Sequence, residues 1–100
     1  MAAQIDIDRQ VIADFCRRYG IKRLSLFGSV LREDFGPESD VDVLVEFEPG
    51  ATPGYFTIGR MINELSDMFG RQVDLRTPEG VSRYFRREVL AAAEPLYAAA

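Results

Sequence analysis

The chain of 100 residues contains no histidine and a single cysteine, Cys16, and these absences exclude several kinds of chemistry. Without histidine the Ser-His pairs of hydrolases cannot form, and a structural zinc site is disfavoured. One cysteine allows no disulfide within the chain. Because Cys16 lies between Phe15 and Arg17 in a predicted helix and has no histidine to activate it, we interpret it as a small core residue and not as a nucleophile.

Positive charge is also scarce. Twelve Lys and Arg residues against sixteen Asp and Glu residues give a net charge of −4 at pH 7, which argues against a nucleic-acid surface. Lys22 is the only lysine; this arginine bias suits phosphate or acidic partners, or reflects only the codons of a GC-rich gene. No apolar run reaches the roughly 18 residues of a membrane span, and the start lacks the pattern of a signal peptide. We therefore expect a cytoplasmic protein with no membrane contact.

Helical and strand patterns alternate along the chain, and the length suits a single domain, which we expect to span residues 1–100. Helices are predicted to start after Asp6 or Asp8, near Gly28-Ser29, at Tyr55 and at Thr77, and Pro95 is predicted to end the last one. Strands are predicted at 24–27, 41–47 and 73–75. The predicted core face of the third helix consists of Phe56, Ile58, Met61, Ile62, Leu65 and Phe69. This order predicts an α/β (α+β) fold.

Residues 28–42, GSVLREDFGPESDVD, are the most informative segment. Gly28-Ser29 stands where a strand is predicted to turn into a helix, and exposed N–H groups at such a start attract phosphate. Alternation along a strand places Asp40 and Asp42 on the same side. At ~4 Å two carboxylates repel each other by roughly 4 kcal/mol at an effective dielectric constant near 20. A divalent cation would offset this repulsion, and Mg²⁺ commonly shares its oxygen ligands with substrate phosphates.

These residues also have structural explanations. A Gly-Ser pair at a strand end is often only a helix cap, and an aspartate at a strand start often caps a turn. Asp74 lies between Val73 and Leu75 and completes an acidic site only if its strand lies beside that of the acidic pair.

The arginines leave two explanations open as well. Arg32, in the first turn of the short helix, either reaches a phosphate tail or pairs with nearby acidic residues on the surface. Arg83, Arg86 and Arg87 form a predicted basic face on the last helix, which is either solvated or in contact with an acidic partner.

Taken together, Gly28-Ser29, Ser39-Asp40, Asp42 and Asp74 resemble the signature of the nucleotidyltransferase superfamily, a Gly-Ser turn followed by Asp-x-Asp and a later Asp. The length and the ending resemble the minimal nucleotidyltransferases of the MNT type, which are prokaryotic antitoxins paired with HEPN-domain toxins. The resemblance implies a nucleotidyltransferase fold, a small mixed β-sheet flanked by helices, as in DNA polymerase beta-like enzymes.

The resemblance also implies an activity, the transfer of AMP from ATP to a tyrosine hydroxyl of a partner HEPN toxin within a hetero-oligomer. Two Mg²⁺ ions would assist this transfer. The implied catalytic and metal-binding residues are Asp40, Asp42 and Asp74, and the implied nucleotide-binding residues are Gly28, Ser29, Arg32 and Ser39.

Two other functions remain open. In the first, the protein is a catalytically idle antitoxin that binds its toxin stoichiometrically, for which Phe56, Leu96 and Tyr97 are expected to offer exposed apolar contacts. In the second, the acceptor of the nucleotide is a small molecule.

Overall fold

A four-stranded sheet and three α-helices make up the part of the chain that the computed structural model describes, residues 8–28, 40–51 and 53–99. The strands are β1 (Ile21–Phe27), β2 (Val41–Phe47), β3 (Val73–Arg76) and β4 (Glu94–Ala98). The helices are α1 (Arg9–Tyr19), α2 (Tyr55–Phe69) and α3 (Arg86–Ala92), and a 3-10 helix spans Pro78–Gly80. Within these ranges no helix has the length and apolar character needed to cross a bilayer. The short helix predicted after Gly28 and the turn predicted at 35–39 lie outside the described residues.

The strand order in the sheet is β3-β2-β1-β4. β1 is antiparallel to both of its neighbours, whereas β2 and β3 run parallel. Parallel neighbours need a crossover connection, and α2 supplies it, packing against β3. The predicted α/β fold with a small mixed sheet is confirmed.

The core lies between one face of the sheet and helices α1 and α2. The register pairs Leu24 with Val45 and Leu26 with Val43, and all four side chains are at most 1% exposed. Burial of one such side chain contributes about 1.5–3 kcal/mol, so this layer is a main source of stability. The helical residues that pack against it are Ile12, Phe15, Cys16, Met61, Leu65 and Phe69. Because strand side chains alternate, Asp42 must point to the opposite face from Val43.

Helix α1 is held at both ends by its own sequence. The Asp8 carboxylate accepts hydrogen bonds from the backbone N–H groups of Gln10 (3.0 Å) and Val11 (3.3 Å). Gly20 ends the helix with a left-handed φ of 67°, which favours glycine. Cys16 is buried inside this helix, and burial raises the pKa of its thiol to about 12. Both the predicted cap and the structural interpretation of Cys16 are consistent with this geometry.

A polar cluster joins the last turn of α1 to the middle of α2. The Glu64 carboxylate accepts hydrogen bonds from the Tyr19 hydroxyl and from the Arg18 guanidinium, the latter at 3.0 Å. The Arg18 guanidinium also lies over the Tyr19 ring, 5.5 Å from its centroid. The hydrogen bond from Tyr19 holds the pKa of Glu64 below its ordinary value and raises the pKa of Tyr19. The cluster thus fixes the two helices relative to each other at the surface.

Phe56 does not belong to the core face of α2, contrary to the prediction. It is 91% exposed, whereas Met61 and Leu65 are completely buried. At about 100° per residue, Phe56 is roughly 140° around the helix from Met61. Phe56 therefore lies outside the apolar stripe of α2 that contains Met61 and Leu65, and its exposure agrees with the alternative expectation of an exposed apolar contact.

The region after β3 forms a turn and a shorter helix, and not the single long helix predicted from Thr77. The Thr77 hydroxyl caps the 3-10 helix by accepting from the Gly80 N–H at 3.2 Å. The Arg86 guanidinium donates to the carbonyls of Pro78 (2.7 Å) and Val81 (3.2 Å) and fixes the turn before α3. Because Arg86 donates to backbone carbonyls, the predicted basic face on the last helix is wrong for this residue.

Strand β4 was not predicted, and it contains Pro95, where the last helix was predicted to end. Pro95 lies opposite Ser25 of β1, and Leu96 is 5% exposed in the core, so the expectation that Leu96 is exposed is wrong. Proline lacks an N–H group, but it is tolerated on an edge strand, where one side of the backbone needs no partner. Tyr97 is half-buried against the core.

Candidate active site

Asp42 and Asp74 lie directly opposite each other on the parallel strands β2 and β3. Val41 and Val73, one residue earlier on each strand, face the core, so both carboxylates point to the other face of the sheet. Neighbouring strands are about 4.8 Å apart, which places the two side chains side by side. The strand of Asp74 thus lies beside the strand of Asp42, which is the condition that an acidic site including Asp74 requires.

This pairing has an electrostatic cost in the absence of a counter-charge. Like charges directly opposite each other destabilise a sheet. Two carboxylates about 5.5 Å apart repel by roughly 3 kcal/mol at an effective dielectric constant of 20. Both side chains are half-buried, so water screens this repulsion only in part. The arrangement suits a site that receives a cation.

Arg76 provides one counter-charge within the chain. It lies two residues after Asp74 on β3, and its Nε and one terminal nitrogen are both 3.3 Å from Oδ2 of Asp74. Side chains two positions apart on a strand share a face, which brings this pair together. Sequence reasoning missed Arg76, although its spacing from Asp74 was the available signal.

Gly28 forms the floor under the Asp42 carboxylate. It follows Phe27, the register partner of Asp42, and has a left-handed φ of 74°. A Cβ atom at Gly28 would lie 2.2 Å from Oδ2 of Asp42, closer than non-bonded atoms can approach. The Asp42 carboxylate therefore occupies space that only glycine leaves open.

Asp40 immediately precedes β2 and is exposed to solvent. Across residues 8–28, 40–51 and 53–99, no three side chains among acidic, cysteine and histidine residues lie close enough together to hold a metal ion by themselves. Asp42 and Asp74 are nevertheless a donor set that fits Mg²⁺, which is usually held by one or two carboxylates together with substrate phosphates. The three other predicted nucleotide-binding residues, Ser29, Arg32 and Ser39, lie outside the described residues.

A pocket of about 350 Å³ lies at the end of β3, and Asp74 but not Asp42 is among its lining residues. Asp74 and Arg76 contribute to its wall together with apolar residues of the strand and of α2. The remaining lining residues are Val45, Ile58, Leu75, Thr77 and Gly80. The pocket therefore has both charged and apolar walls.

Comparison with protein families gives the class of the chain. The profile of the nucleotidyltransferase domain family matches residues 8–95, which include β1, both aspartates and the end of β3. The chain belongs to the nucleotidyltransferase domain family. The prediction of a nucleotidyltransferase is thereby confirmed, and the pair of opposed carboxylates lies inside the matched region.

Relatives of this nucleotidyltransferase carry related names. MJ0435 of Methanocaldococcus jannaschii, named as a candidate protein adenylyltransferase, is 32% identical over 85% of this chain and 88% of its own length. The protein adenylyltransferase MntA of Thermococcus cleftensis is 31% identical over 73% of this chain and 76% of its own length.

Solved structures give the same classification. A candidate minimal nucleotidyltransferase is 34% identical, covers 87% of both chains and superimposes with a TM-score of 0.71. A toxin–antitoxin complex with AMP-PNP also reaches a TM-score of 0.71, over 93% of this chain and 75% of that chain. At 19% identity it supports the fold alone. The predicted resemblance to minimal nucleotidyltransferases is confirmed.

Proposed function

We propose that the protein is a Mg²⁺-dependent adenylyltransferase that moves AMP from ATP to a tyrosine hydroxyl of a HEPN-type toxin and so acts as an antitoxin. The observation that carries the proposal is the register of Asp42 opposite Asp74, with Gly28 closing the space beneath Asp42. Relatives named protein adenylyltransferases support the reaction type. One structural neighbour is an MNT antitoxin in complex with a tri-AMPylated HEPN toxin of Shewanella oneidensis, which supports a HEPN toxin as the acceptor protein. The tyrosine hydroxyl is implied by the resemblance to the MNT group.

In this proposal each residue has a defined task. Asp42 and Asp74 would hold two Mg²⁺ ions together with the phosphates of ATP, and Asp40, which precedes β2 and forms no three-carboxylate cluster with them in the described residues, would be a further ligand. The ions would neutralise phosphate charge and lower the pKa of the acceptor hydroxyl. The backbone at Gly28 and Ser29, together with Arg32 and Ser39, would bind the triphosphate.

The reaction is a displacement at the α-phosphorus of ATP. The acceptor oxygen forms a bond to this phosphorus, the bond to the β-phosphate oxygen breaks, pyrophosphate leaves and the hydroxyl proton passes to water. The chain's own contribution is to hold and orient the reacting groups, because little covalent chemistry falls to the protein in such transfers.

The test is incubation of the pure chain with labelled ATP, Mg²⁺ and a candidate toxin. We expect Asp42→Asn to reduce labelling of the toxin by more than about a hundredfold. Mutation of a residue that only hydrogen-bonds to a metal ligand already lowers metal affinity or activity about 10- to 100-fold, and Asp42 is itself a proposed ligand. Asp67→Asn is the matched control, because Asp67 is an exposed residue of α2. Equal labelling by wild type and Asp42→Asn would reject the proposed role of the acidic pair.

The second candidate function is stoichiometric neutralisation of the toxin without catalysis. The aromatic side chains of Tyr55 and Phe56, 95% and 91% exposed at the start of α2, favour a protein contact at this place. In cells that express the toxin, an Asp40→Asn, Asp42→Asn double variant would still protect if this function were correct. Loss of protection with the toxin complex intact would instead favour the adenylyltransferase.

A further inference from the structure

Arg76 contacts the carboxylate of Asp74, one member of the acidic pair. It is the last residue of β3, and its register partner on β2 is Leu44. The register of β2 and β3 puts its side chain on the same face as Asp42 and Asp74. Both of its contacts with Asp74 go to the same oxygen, Oδ2, at 3.3 Å.

This geometry makes the guanidinium a competitor of a metal ion. The Oδ2 atom of Asp74 accepts a hydrogen bond from Nε and also forms an ion pair with a terminal nitrogen of the guanidinium, so it is less available as a ligand. A nearby positive charge also opposes the approach of a cation. In the metal-free chain the same charge offsets the repulsion between Asp42 and Asp74. Both effects have the same sign, because each lowers the affinity of the pair for a divalent cation.

We propose that Arg76 is a positioning residue that pairs with Asp74 when no metal is bound. A divalent cation must displace the guanidinium from Asp74, so Arg76 sets the metal affinity of the site. The inference rests on the proposed function, since it requires that Asp42 and Asp74 bind a divalent cation. Because the side chains of Arg76 and Asp74 are 50% and 40% exposed, solvent screens the pair. The expected effect is therefore modest, about three- to fivefold in metal affinity.

The experiment is calorimetric titration of the pure full chain with Mn²⁺ in the absence of nucleotide. Mn²⁺ accepts the same carboxylate ligands as Mg²⁺. We expect Arg76→Gln to bind Mn²⁺ three- to fivefold more tightly than wild type. Arg76→Lys should remain close to wild type, because an ammonium group can still pair with Asp74. Arg76→Met keeps most of the aliphatic stem and should match Arg76→Gln, which protects the test against a folding defect of one variant.

The matched control is Arg23→Gln. Arg23 is also a strand arginine, with an acidic partner (Glu46) at 3.8 Å, and its loss changes the net charge equally. It lies four residues before Phe27, the register partner of Asp42, a distance of roughly 13 Å along β1. We expect its Mn²⁺ affinity to equal that of wild type.

The outcomes separate this inference from the proposed function. Mn²⁺ binding that is lost in Asp42→Asn but unchanged or weaker in Arg76→Gln and Arg76→Met would overturn the role of Arg76 alone. Equal tightening in Arg23→Gln would also overturn it, because net charge would then explain the effect. A wild-type chain that binds no Mn²⁺ in the absence of nucleotide would overturn this inference alone, because the proposed function adds the phosphates of ATP as metal ligands and is tested separately by labelling of the toxin.

Discussion

Replacement of Gly28 by alanine tests the architecture of the site most directly. Two separate costs are expected. The left-handed φ of 74° is unfavourable for any residue with a Cβ, by about 1–2 kcal/mol. The new Cβ would also lie 2.2 Å from Oδ2 of Asp42, whereas ordinary contacts begin near 3.4 Å. The Asp42 carboxylate must therefore move by roughly 1 Å, and a misplacement of that size can cost about a hundredfold in rate.

Gly70 is a control that separates these two costs. It ends α2 with a φ of 67°, and a Cβ built there meets no atom within 4 Å. We expect urea denaturation to show that Gly28→Ala and Gly70→Ala each lose about 1–2 kcal/mol of unfolding free energy. Only Gly28→Ala should also lose transfer of AMP to the toxin, by about a hundredfold, and bind Mn²⁺ more weakly. The reasoning is refuted if Gly28→Ala and Gly70→Ala retain the same transfer rate and the same metal affinity.

Two further predictions concern stability away from the site. Asp8→Ala removes the acceptor of two N–H hydrogen bonds at the start of α1. We expect urea denaturation to show an unfolding free energy lower by about 1 kcal/mol in Asp8→Ala, and no such loss in Asp67→Ala, which changes an exposed residue of α2. The pKa of Glu64 is lowered in the folded state, mainly by the hydrogen bond from the Tyr19 hydroxyl. The ionised Glu64 carboxylate therefore contributes to the unfolding free energy above its ordinary pKa of 4.5, and this contribution is lost as pH falls through the lowered pKa. Thermal denaturation between pH 6 and pH 3 should therefore show a smaller loss of stability in Glu64→Gln than in wild type; equal pH dependence would contradict this role.

Elements whose signals are local could be predicted from the sequence. The β-branched run of β2 and the helix that ends at Gly70 were predicted with the bounds that the structure shows. The cap of α1 was predicted to be Asp6 or Asp8, because the effect of a cap is confined to the next three residues, and the structure shows that it is Asp8. Gly28 was expected to let the backbone approach a phosphate, which stays a prediction; its close approach to the Asp42 carboxylate is a separate finding of the structure.

Elements that depend on distant partners could not be predicted in this way. Strand β4 forms because residues 94–98 pair with β1, and no local pattern around Pro95 indicates this pairing. The position of Asp74 opposite Asp42 depends on the parallel pairing of β2 with β3 in the same way. Arg76 was missed because its significance follows only from the proximity of its guanidinium to Asp74 in the fold.

The parallel pairing of β2 and β3 links occupancy of the site to folding. In an unfolded chain Asp42 and Asp74 are separated by a long, flexible loop, and no affinity for an ion beyond that of single carboxylates is expected. A ligand that binds only the native state stabilises it by RT ln(1 + L/Kd), where L is the ligand concentration, so the melting temperature rises with the ligand concentration. Under the proposed function, magnesium that binds this pair would therefore stabilise the fold as well as support the transfer, and removal of the ion would lower the melting temperature.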